Sequence, residues 1–268
     1  MKAIVFTEYG PPDVLHVKEV ETPTPKDNEV LIRITASPVG YGDLMGRNLP
    51  NSTFNMPGIL KPIVYMSFGT KTPKKQILGA QFSGTIESVG ASVTRFKPGD
   101  AIFGYRADKF GAYAEYLAMP ETATIAHAPA NLSPEEASIL PYGTMTAKML
   151  LKRVNLQPGQ KVLINGASGG IGAAAVQLAK HYGAEVTGVC GAPRAEMVKA
   201  LGADHTIDYK TEDFTKNGQT YDLIMDVLGR LSFFDCKNSL TPNGTLLYAS
   251  FKMKQVRQML FNPLRGGK

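Results

Sequence analysis

The stretch that decides the fold is Asn165-Gly166-Ala167-Ser168-Gly169-Gly170-Ile171-Gly172. An apolar run at 161–165 comes directly before it and predicts a buried strand. Residues 171–181 follow it with apolar residues on one helical face, which predicts a helix packed on a core. Glycines between a strand and a helix allow a sharp turn and a close approach of the two elements.

This loop is typical of the fingerprint that binds the pyrophosphate of a dinucleotide, with Ala167 in the first glycine position, Gly169 in the second and Gly172 in the third. The N-terminus of the following helix offers N–H groups and a partial positive charge to the phosphates. A side chain at Gly169 would occupy the space of a phosphate and would disfavour any left-handed backbone that the turn requires. The alternative interpretation is a glycine-rich turn that binds no ligand.

The rest of the chain separates into two parts with different patterns. Short strand signals with few helices, at 30–34, 84–90, 101–104 and 113–117, favour a small β-barrel or sandwich. From Ser133-Pro134, an N-cap followed by proline, helices and strands alternate, which predicts a parallel sheet with helical crossovers. We therefore expect a β-rich domain at 1–122 and a dinucleotide-binding domain at 123–268.

Composition and charge limit the function classes. The 268 residues are 43% hydrophobic and 19% charged, with a net charge of +6, and they contain no apolar run long enough to span a membrane. The basic residues are scattered, so we do not expect a nucleic-acid partner. Cys190 and Cys236 match no metal or redox spacing, and we expect both to be buried apolar fillers. The N-terminus carries no secretory signal, which favours a cytoplasmic protein.

Several motifs occur in a specific order: Gly10-Pro11-Pro12-Asp13-Val14-Leu15, Gly79-Ala80-Gln81-Phe82-Ser83-Gly84, Phe96-Lys97-Pro98-Gly99-Asp100, Gly111-Ala112-Tyr113-Ala114-Glu115-Tyr116, the glycine loop and Leu201-Gly202-Ala203-Asp204. With these motifs the chain resembles the zinc-independent, quinone-oxidoreductase-like branch of the medium-chain dehydrogenase/reductase superfamily over nearly its whole length. The resemblance implies a GroES-like catalytic domain followed by a Rossmann domain with a doubly wound parallel sheet. It also implies a sixth Rossmann strand and a return to the first domain, which a chain ending at Lys268 lacks, so the fold is expected to be truncated at its C-terminus.

The resemblance also predicts that no zinc is bound. The catalytic zinc of related alcohol dehydrogenases has ligands at places that match Gly40, Ala80-Gln81 and Tyr142 here, and none of these offers the thiolate or imidazole that zinc prefers. The hydroxyl that relays protons in those enzymes matches Gly42. Without a Lewis acid, reduction of a polarised acceptor is easier than oxidation of an alcohol.

The expected cofactor is NADP(H), which is favoured over NAD(H). The second strand of the parallel sheet ends Val189-Cys190-Gly191-Ala192-Pro193-Arg194, without the acidic residue that binds the ribose hydroxyls of NAD. Arg194 could instead pair with a 2′-phosphate, or it could be a solvated residue at a helix start.

The candidate site residues follow from the loop and the resemblance. Tyr142, which takes a former metal-ligand place, is a candidate proton donor or a space-filling residue, and Tyr41 and Tyr65 are further candidate catalytic residues. Thr146 matches a residue near the nicotinamide in relatives, and Tyr209 matches one near the adenosine phosphate. The predicted cofactor contacts are Thr146, Ala167, Ser168, Gly169, Gly170, Ile171, Gly172, Cys190, Gly191, Arg194, Tyr209, Leu228, Ala249 and Phe251.

These expectations combine into one hypothesis, hydride transfer from NADPH to a quinone or an α,β-unsaturated carbonyl compound. The alternative is a cofactor-binding regulatory or structural protein with little catalytic activity. The expected partner is a small-molecule carbonyl or quinone substrate, and no membrane partner is expected. A homodimer would need the sheet edge that the sixth strand forms, so the missing strand argues against it.

Overall fold

In the computed structural model of the chain, residues 1–51, 61–250 and 252–261 are described. Among these residues the backbone divides into two compact units, of which the first extends to Pro141 and the second begins at Tyr142. Each unit has its own sheet and its own hydrophobic core. None of the helices in the described ranges has both the length and the apolar run that crossing a bilayer needs.

The first unit is rich in strands, as its sequence pattern predicts. Its elements are β1 (Lys2–Val5), β2 (His16–Glu19), β3 (Glu29–Ala36), α1 (Tyr41–Arg47), α2 (Lys61–Phe68), β4 (Gln81–Val89), β5 (Ala101–Tyr105), β6 (Tyr116–Pro120), β7 (Ile125–His127) and the start of α3 (Pro134–Arg153). β1 and β2 form an antiparallel pair, and the other strands form an antiparallel sheet in the order β6-β3-β4-β5-β7. This unit is the GroES-like domain that the resemblance implies.

The core of the first unit forms between the strands, where Ile32, Phe82 and Ile102 are fully buried. One predicted strand is wrong: the segment 113–117 becomes a strand only from Tyr116 on. Ala114 forms only an isolated bridge, to Ala3 of β1, and the N–H of Tyr113 donates to the carbonyl of Leu78, which precedes β4. The predicted boundary between residues 122 and 123 stays a prediction, and β7 pairs with β5 of the first sheet.

The second unit alternates strands and helices. After α3 its elements are β8 (Lys161–Asn165), α4 (Gly170–His181), β9 (Glu185–Cys190), α5 (Ala195–Ala200), β10 (His205–Asp208), β11 (Tyr221–Asp226), α6 (Phe233–Cys236), β12 (Leu240–Tyr248) and α7 (Met253–Phe261). The sheet is parallel with the order β10-β9-β8-β11-β12. The predicted bounds of β8 and β11 are confirmed, and the whole is the Rossmann fold that the glycine loop predicts.

Both faces of this parallel sheet are covered, so alternate residues of each strand enter two separate cores. Ile164 and Met225 pack with α4 and α5 on one face, whereas Leu163 and Ile224 pack with Cys236 on the other. All four aliphatic side chains are fully buried, which explains why the strands are continuous apolar runs. Both cysteines are buried, as predicted.

Helix α3 begins where the sequence predicts. The hydroxyl of Ser133 accepts the N–H of Glu136, and the carboxylate of Glu136 accepts the N–H of Ser133. These reciprocal hydrogen bonds form a capping box.

The glycine loop packs tightly under α4. A Cβ atom built on Gly172 would lie 2.1 Å from the carbonyl oxygen of Gly166, far inside van der Waals contact. Helix α3 approaches the same loop, since a Cβ on Gly143 would lie 2.5 Å from the carbonyl oxygen of Gly170. The expectation that Gly172 allows the helix to pack close to the strand is therefore confirmed.

This packing predicts that alanine at Gly172 lowers the stability of the fold, whereas alanine at Gly170 does not. Gly172→Ala should destabilise the second unit by about 1–3 kcal/mol, the usual cost of overpacking, because the new methyl group meets rigid backbone. Gly170→Ala is the matched control, since a Cβ there has no neighbour within 4 Å. Urea unfolding measures both variants, and equal stability of the two would contradict the close approach.

Candidate dinucleotide site

The turn after β8 is made by a glycine that the sequence analysis did not assign. Gly166 has a φ of +90°, a conformation that favours glycine, whereas Ala167 is fully buried and is not among the residues with a left-handed backbone. The N–H groups of both residues donate to the carbonyl of Val189, at 3.1 and 3.0 Å. The tight turn therefore requires Gly166 rather than the residue in the predicted first glycine position.

The space at the N-terminus of α4 is open. A Cβ on Gly169 would have only the carbonyl oxygen of Gly166 within 4 Å, at 3.5 Å, and a Cβ on Gly170 would have no neighbour within 4 Å. Gly169 is the N-cap of α4, and no side chain caps the helix. An anion could lie against this backbone, as the sequence predicts. Gly169 itself has an ordinary extended backbone, with a φ of −86°.

The residues predicted to contact the adenosine half follow the ends of β9 and β10. Arg194 lies in a short 3-10 turn, and its Nη1 is 3.5 Å from the hydroxyl oxygen of Ser168 in the glycine loop. The exposed ring of Tyr209 lies beside Gly191, since a Cβ on that glycine would be 3.6 Å from Tyr209 Cε1. A cation, a hydroxyl group and an aromatic ring thus surround one short stretch of backbone.

Cys190 lies in the core rather than on the surface of the site. Burial raises the pKa of its thiol, the nearby Asp208 carboxylate raises it further, and the Arg194 guanidinium lowers it. The thiol therefore stays protonated at neutral pH, which makes a nucleophilic role unfavourable. Asp208, at the end of β10, is a charged neighbour of the site that sequence reasoning missed.

A second group that sequence reasoning missed joins the loops after β8 and β11. Asp226 is fully buried, and its Oδ1 accepts hydrogen bonds from Asn165 Nδ2 and from the N–H of Leu228, both at 3.0 Å. Its Oδ2 accepts the N–H groups of Arg230 and Leu231, both at 2.8 Å. The sequence carries a signal for this role, because Asp226 is a charged residue directly after the apolar run 223–225 of a predicted strand.

The remaining predicted cofactor contacts lie after β11, after β12 and on α3, where Thr146 is the one predicted near the nicotinamide. Leu228 is partly exposed and lies over Gly166, 3.1 Å from the position of a Cβ there. The N–H of Ala249 donates to the carbonyl of Asp226 at 3.0 Å, directly after β12. Thr146 is half-buried on α3, one turn beyond the Gly143 that touches the glycine loop. Phe251 lies outside the described residues.

The first unit contains two of the three places that match zinc ligands in relatives, Gly40 and Ala80-Gln81. A Cβ on Gly40 would lie 3.1 Å from Asp43 Oδ2 and 3.7 Å from Gln81 Nε2, so these three residues are neighbours. The buried Asp43 carboxylate accepts the N–H of Gly40 and that of Gly79, both at 2.9 Å. Burial raises the pKa of Asp43, while the hydrogen bonds from Gly40 and Gly79 lower it. Asp43 therefore anchors backbone at the start of α1 and before β4.

The three candidate tyrosines lie in different parts of the chain. Tyr41 is exposed at the start of α1, and Tyr65 is half-buried on α2. The pKa of Tyr9 is raised mainly by burial and, to a smaller extent, by the nearby Tyr65. Tyr142 begins the second unit with 42% of its surface exposed, and burial raises the pKa of its phenol. The phenol is therefore protonated at neutral pH and, because its pKa is raised, is a weaker acid than a free tyrosine.

Within the described ranges, no group of three or more His, Cys, Asp or Glu side chains is arranged to hold a metal ion. His205 is 3.3 Å from Glu185, and the rings of His127 and His181 pack against Phe96 and Tyr182. The open backbone over Gly169 and Gly170 leaves room for a phosphorylated ligand at the carboxyl end of the parallel sheet. The structure brings together the predicted contacts on the glycine loop, β9, β10 and β11.

Comparison with known proteins agrees with both units. Residues 26–130 match the family model of the alcohol dehydrogenase GroES-like domain, and residues 170–265 match that of the zinc-binding dehydrogenases. The chain is 34% identical to the chloroplastic quinone-oxidoreductase homolog of Spinacia oleracea over 259 residues. The aligned residues cover 92% of this chain and 74% of that relative.

Two further similarities are of the same kind. The chloroplastic NADPH-dependent alkenal/one oxidoreductase of Arabidopsis thaliana is 31% identical over 239 residues, which cover 85% of this chain and 58% of the relative. The chain thus spans less than two thirds of the length of some curated relatives that it matches. The solved structure of the quinone oxidoreductase from Coxiella burnetii has a TM-score of 0.79 and 30% identity, covering 92% of this chain and 74% of the other.

Three observations lead to the same conclusion. They are the glycine loop under α4, the GroES-like first unit, and the similarity to the spinach relative over most of both chains. The chain belongs to the medium-chain dehydrogenase/reductase superfamily, in its quinone-oxidoreductase-like branch.

Proposed function

We propose that this chain binds NADP(H) at the carboxyl end of its parallel sheet and reduces a quinone or an α,β-unsaturated carbonyl compound without zinc. The observation that carries the proposal is the open space over Gly169 and Gly170, beside the guanidinium of Arg194. A pyrophosphate would meet bare backbone and a helix N-terminus there. The relatives named for quinone and for NADPH-dependent alkenal/one reduction support the same activity.

The residues of the second unit would hold the cofactor along the edge of the sheet. The backbone of Gly169 and Gly170 would receive the pyrophosphate, and Arg194 would pair with the 2′-phosphate. Tyr209 would flank the adenosine, while Leu228 would contact the nicotinamide half. When bound, NADPH supplies the hydride, and the chain contributes alignment and exclusion of water.

The acceptor chemistry explains why no metal is needed. When an enone takes up a hydride at its β-carbon, the electron pair moves to the carbonyl oxygen, and a proton must follow to complete the reduction. Tyr142, which takes the place of a zinc ligand in relatives, would donate that proton; Tyr41 and Tyr65 are the other candidate donors. Gly40 and Ala80 carry no donor atom in their side chains, and Gln81 carries a neutral amide, so these places suit zinc poorly.

The proposal also includes the partners and the location of the protein. We expect small-molecule quinones or carbonyl compounds as partners and the cytoplasm as the location. Binding of NADPH without turnover of any acceptor would instead favour the alternative, a regulatory or structural protein.

The first test combines turnover with metal analysis. Purified protein should oxidise NADPH in the presence of a simple quinone or an alkenone, and dialysis against a chelator should leave the rate unchanged. Elemental analysis should find far less than one zinc per chain, because the side chains at the ligand places offer no thiolate or imidazole. A dialysis-resistant zinc in every chain would show that the zinc-free proposal is wrong.

The second test concerns the choice of cofactor. Arg194→Ala should weaken NADPH binding about tenfold, the effect of losing one charge-assisted hydrogen bond at an exposed position, and should leave NADH binding unchanged. Lys199→Ala is the matched control, because it removes the same charge from the neighbouring helix, where Lys199 pairs with Glu196 at 3.0 Å. Fluorescence titration measures all dissociation constants, and an equal loss for both cofactors would refute the assignment.

The third test concerns the glycine loop. Gly169→Val should abolish NADPH binding and, with it, acceptor reduction, because the side chain would fill the space proposed for the pyrophosphate. The fold should persist, since Gly169 has an ordinary φ of −86° and a Cβ there has only one neighbour, at 3.5 Å. Circular dichroism and the unfolding midpoint serve as controls. An unchanged NADPH affinity in a folded Gly169→Val variant would mean that this loop is only a turn.

A further inference from the structure

The loop 227–231 lies between β11 and α6. Asp226, the last residue of β11, holds this loop by hydrogen bonds. The two carboxylate oxygens accept the backbone N–H groups of Leu228, Arg230 and Leu231 at 2.8–3.0 Å. These bonds use the donors of the loop but leave its carbonyl groups to be satisfied elsewhere. A buried carbonyl without a partner is costly, so another group is required.

That group is the side chain of Gln255 on helix α7. Its Nε2 donates to the carbonyl of Gly229 at 3.2 Å and to that of Leu231 at 2.8 Å. Its Oε1 accepts the N–H of Lys252 at 3.0 Å, in the segment that follows β12. The side chain is almost completely buried, with 1% exposed, and both ends of its amide are used.

The loop held in this way lies against two other backbone segments. Gly229 has a φ of +63°, and a Cβ on it would lie 2.8 Å from the carbonyl oxygen of Ser250. Leu228 lies over Gly166, the turn of the glycine loop, and its side chain remains 45% exposed. Asp226, as an acceptor, and Gln255, as a donor, therefore fix the loop that places the exposed side chain of Leu228 over the turn of the glycine loop.

We propose that Gln255 is a positioning residue for the nicotinamide half of NADP(H), acting through Leu228; this inference rests on the proposed function. Only an amide side chain can donate to two carbonyls and accept an N–H at the same place. The adenosine half, by contrast, is expected on Arg194 and Tyr209, whereas the Gln255 side chain bonds to backbone in the loop 227–231 and at Lys252. The loss of Gln255 should thus affect the two halves of the cofactor unequally.

The test uses two substitutions in the full chain. Gln255→Met removes the hydrogen bonds at similar volume, and Gln255→Glu replaces the donor with an oxygen that faces two carbonyls. Gln177→Met and Gln177→Glu are the matched controls, since Gln177 is exposed on α4 and its Nε2 donates only to the carbonyl of Ala173, at 3.2 Å. Dissociation constants are measured for NADPH and for 2′,5′-ADP, which carries only the adenosine half.

In both Gln255 variants NADPH affinity should fall about tenfold, the scale of a lost buried hydrogen bond, while 2′,5′-ADP affinity stays within about twofold. Single-turnover hydride transfer should slow as well. Hydrogen exchange of the amides of Leu228, Arg230 and Leu231 should become faster without any cofactor present. The Gln177 variants should resemble the wild type in every measurement.

Other outcomes would overturn the inference or the proposed function separately. Unchanged NADPH affinity, or an equal loss for NADPH and 2′,5′-ADP, would mean that Gln255 serves the fold alone. Wild-type protein that binds NADPH but reduces no acceptor would refute the proposed reaction, and the binding measurements would still decide the role of Gln255. Wild-type protein that binds no NADPH would overturn both.

Discussion

The second unit depends on the contact between helix α4 and the turn after β8, where Gly172 lies against the carbonyl of Gly166. No side chain fits between these two backbone segments. Helix α3 adds a second contact of the same kind, with Gly143 against the carbonyl of Gly170. Because backbone meets backbone at both places, the N-terminus of α4 is fixed in a direction that leaves the space over Gly169 open. The candidate phosphate site is a consequence of this packing.

Buried polar groups fix the loops around that site. Asp226 accepts four hydrogen bonds from Asn165 and from the following loop, and Gln255 satisfies two carbonyls of the same loop. The first unit uses the same principle at Asp43, which accepts the N–H groups of Gly40 and Gly79. A buried carboxylate that is surrounded by backbone donors gives a loop one conformation, since any other arrangement would leave charge or N–H groups unpaired.

The superfamily fold does not by itself decide the chemistry, because function depends on the side chains placed on a fold. One of the two matching family models is named for zinc-binding dehydrogenases. The places that match zinc ligands are nevertheless Gly40, Ala80-Gln81 and Tyr142, which offer neither a thiolate nor an imidazole. Gly40 and Gln81 are neighbours beside Asp43, which already bonds to backbone. The proposed function names quinones and enones because the side chains at these places offer zinc neither a thiolate nor an imidazole.

The sequence alone determined the fold class and the location of the candidate cofactor loop. The sequence predicted the strands β8 and β11 from their apolar runs and the helix start at Ser133 from its N-cap and proline, because such signals depend on neighbours within a few residues. The chain pattern also distinguished the β-rich first part from the alternating second part. The resemblance supplied the family.

Only the tertiary structure decided which residue bends and which polar groups hold the site. It assigned the left-handed turn to Gly166 instead of the position of Ala167, and an ordinary extended backbone to Gly169. It also joined Gln255 to a loop more than twenty residues earlier in the chain. Backbone angles at a glycine and hydrogen bonds between distant segments depend on how helices and strands pack, and this packing has no local signal in the sequence.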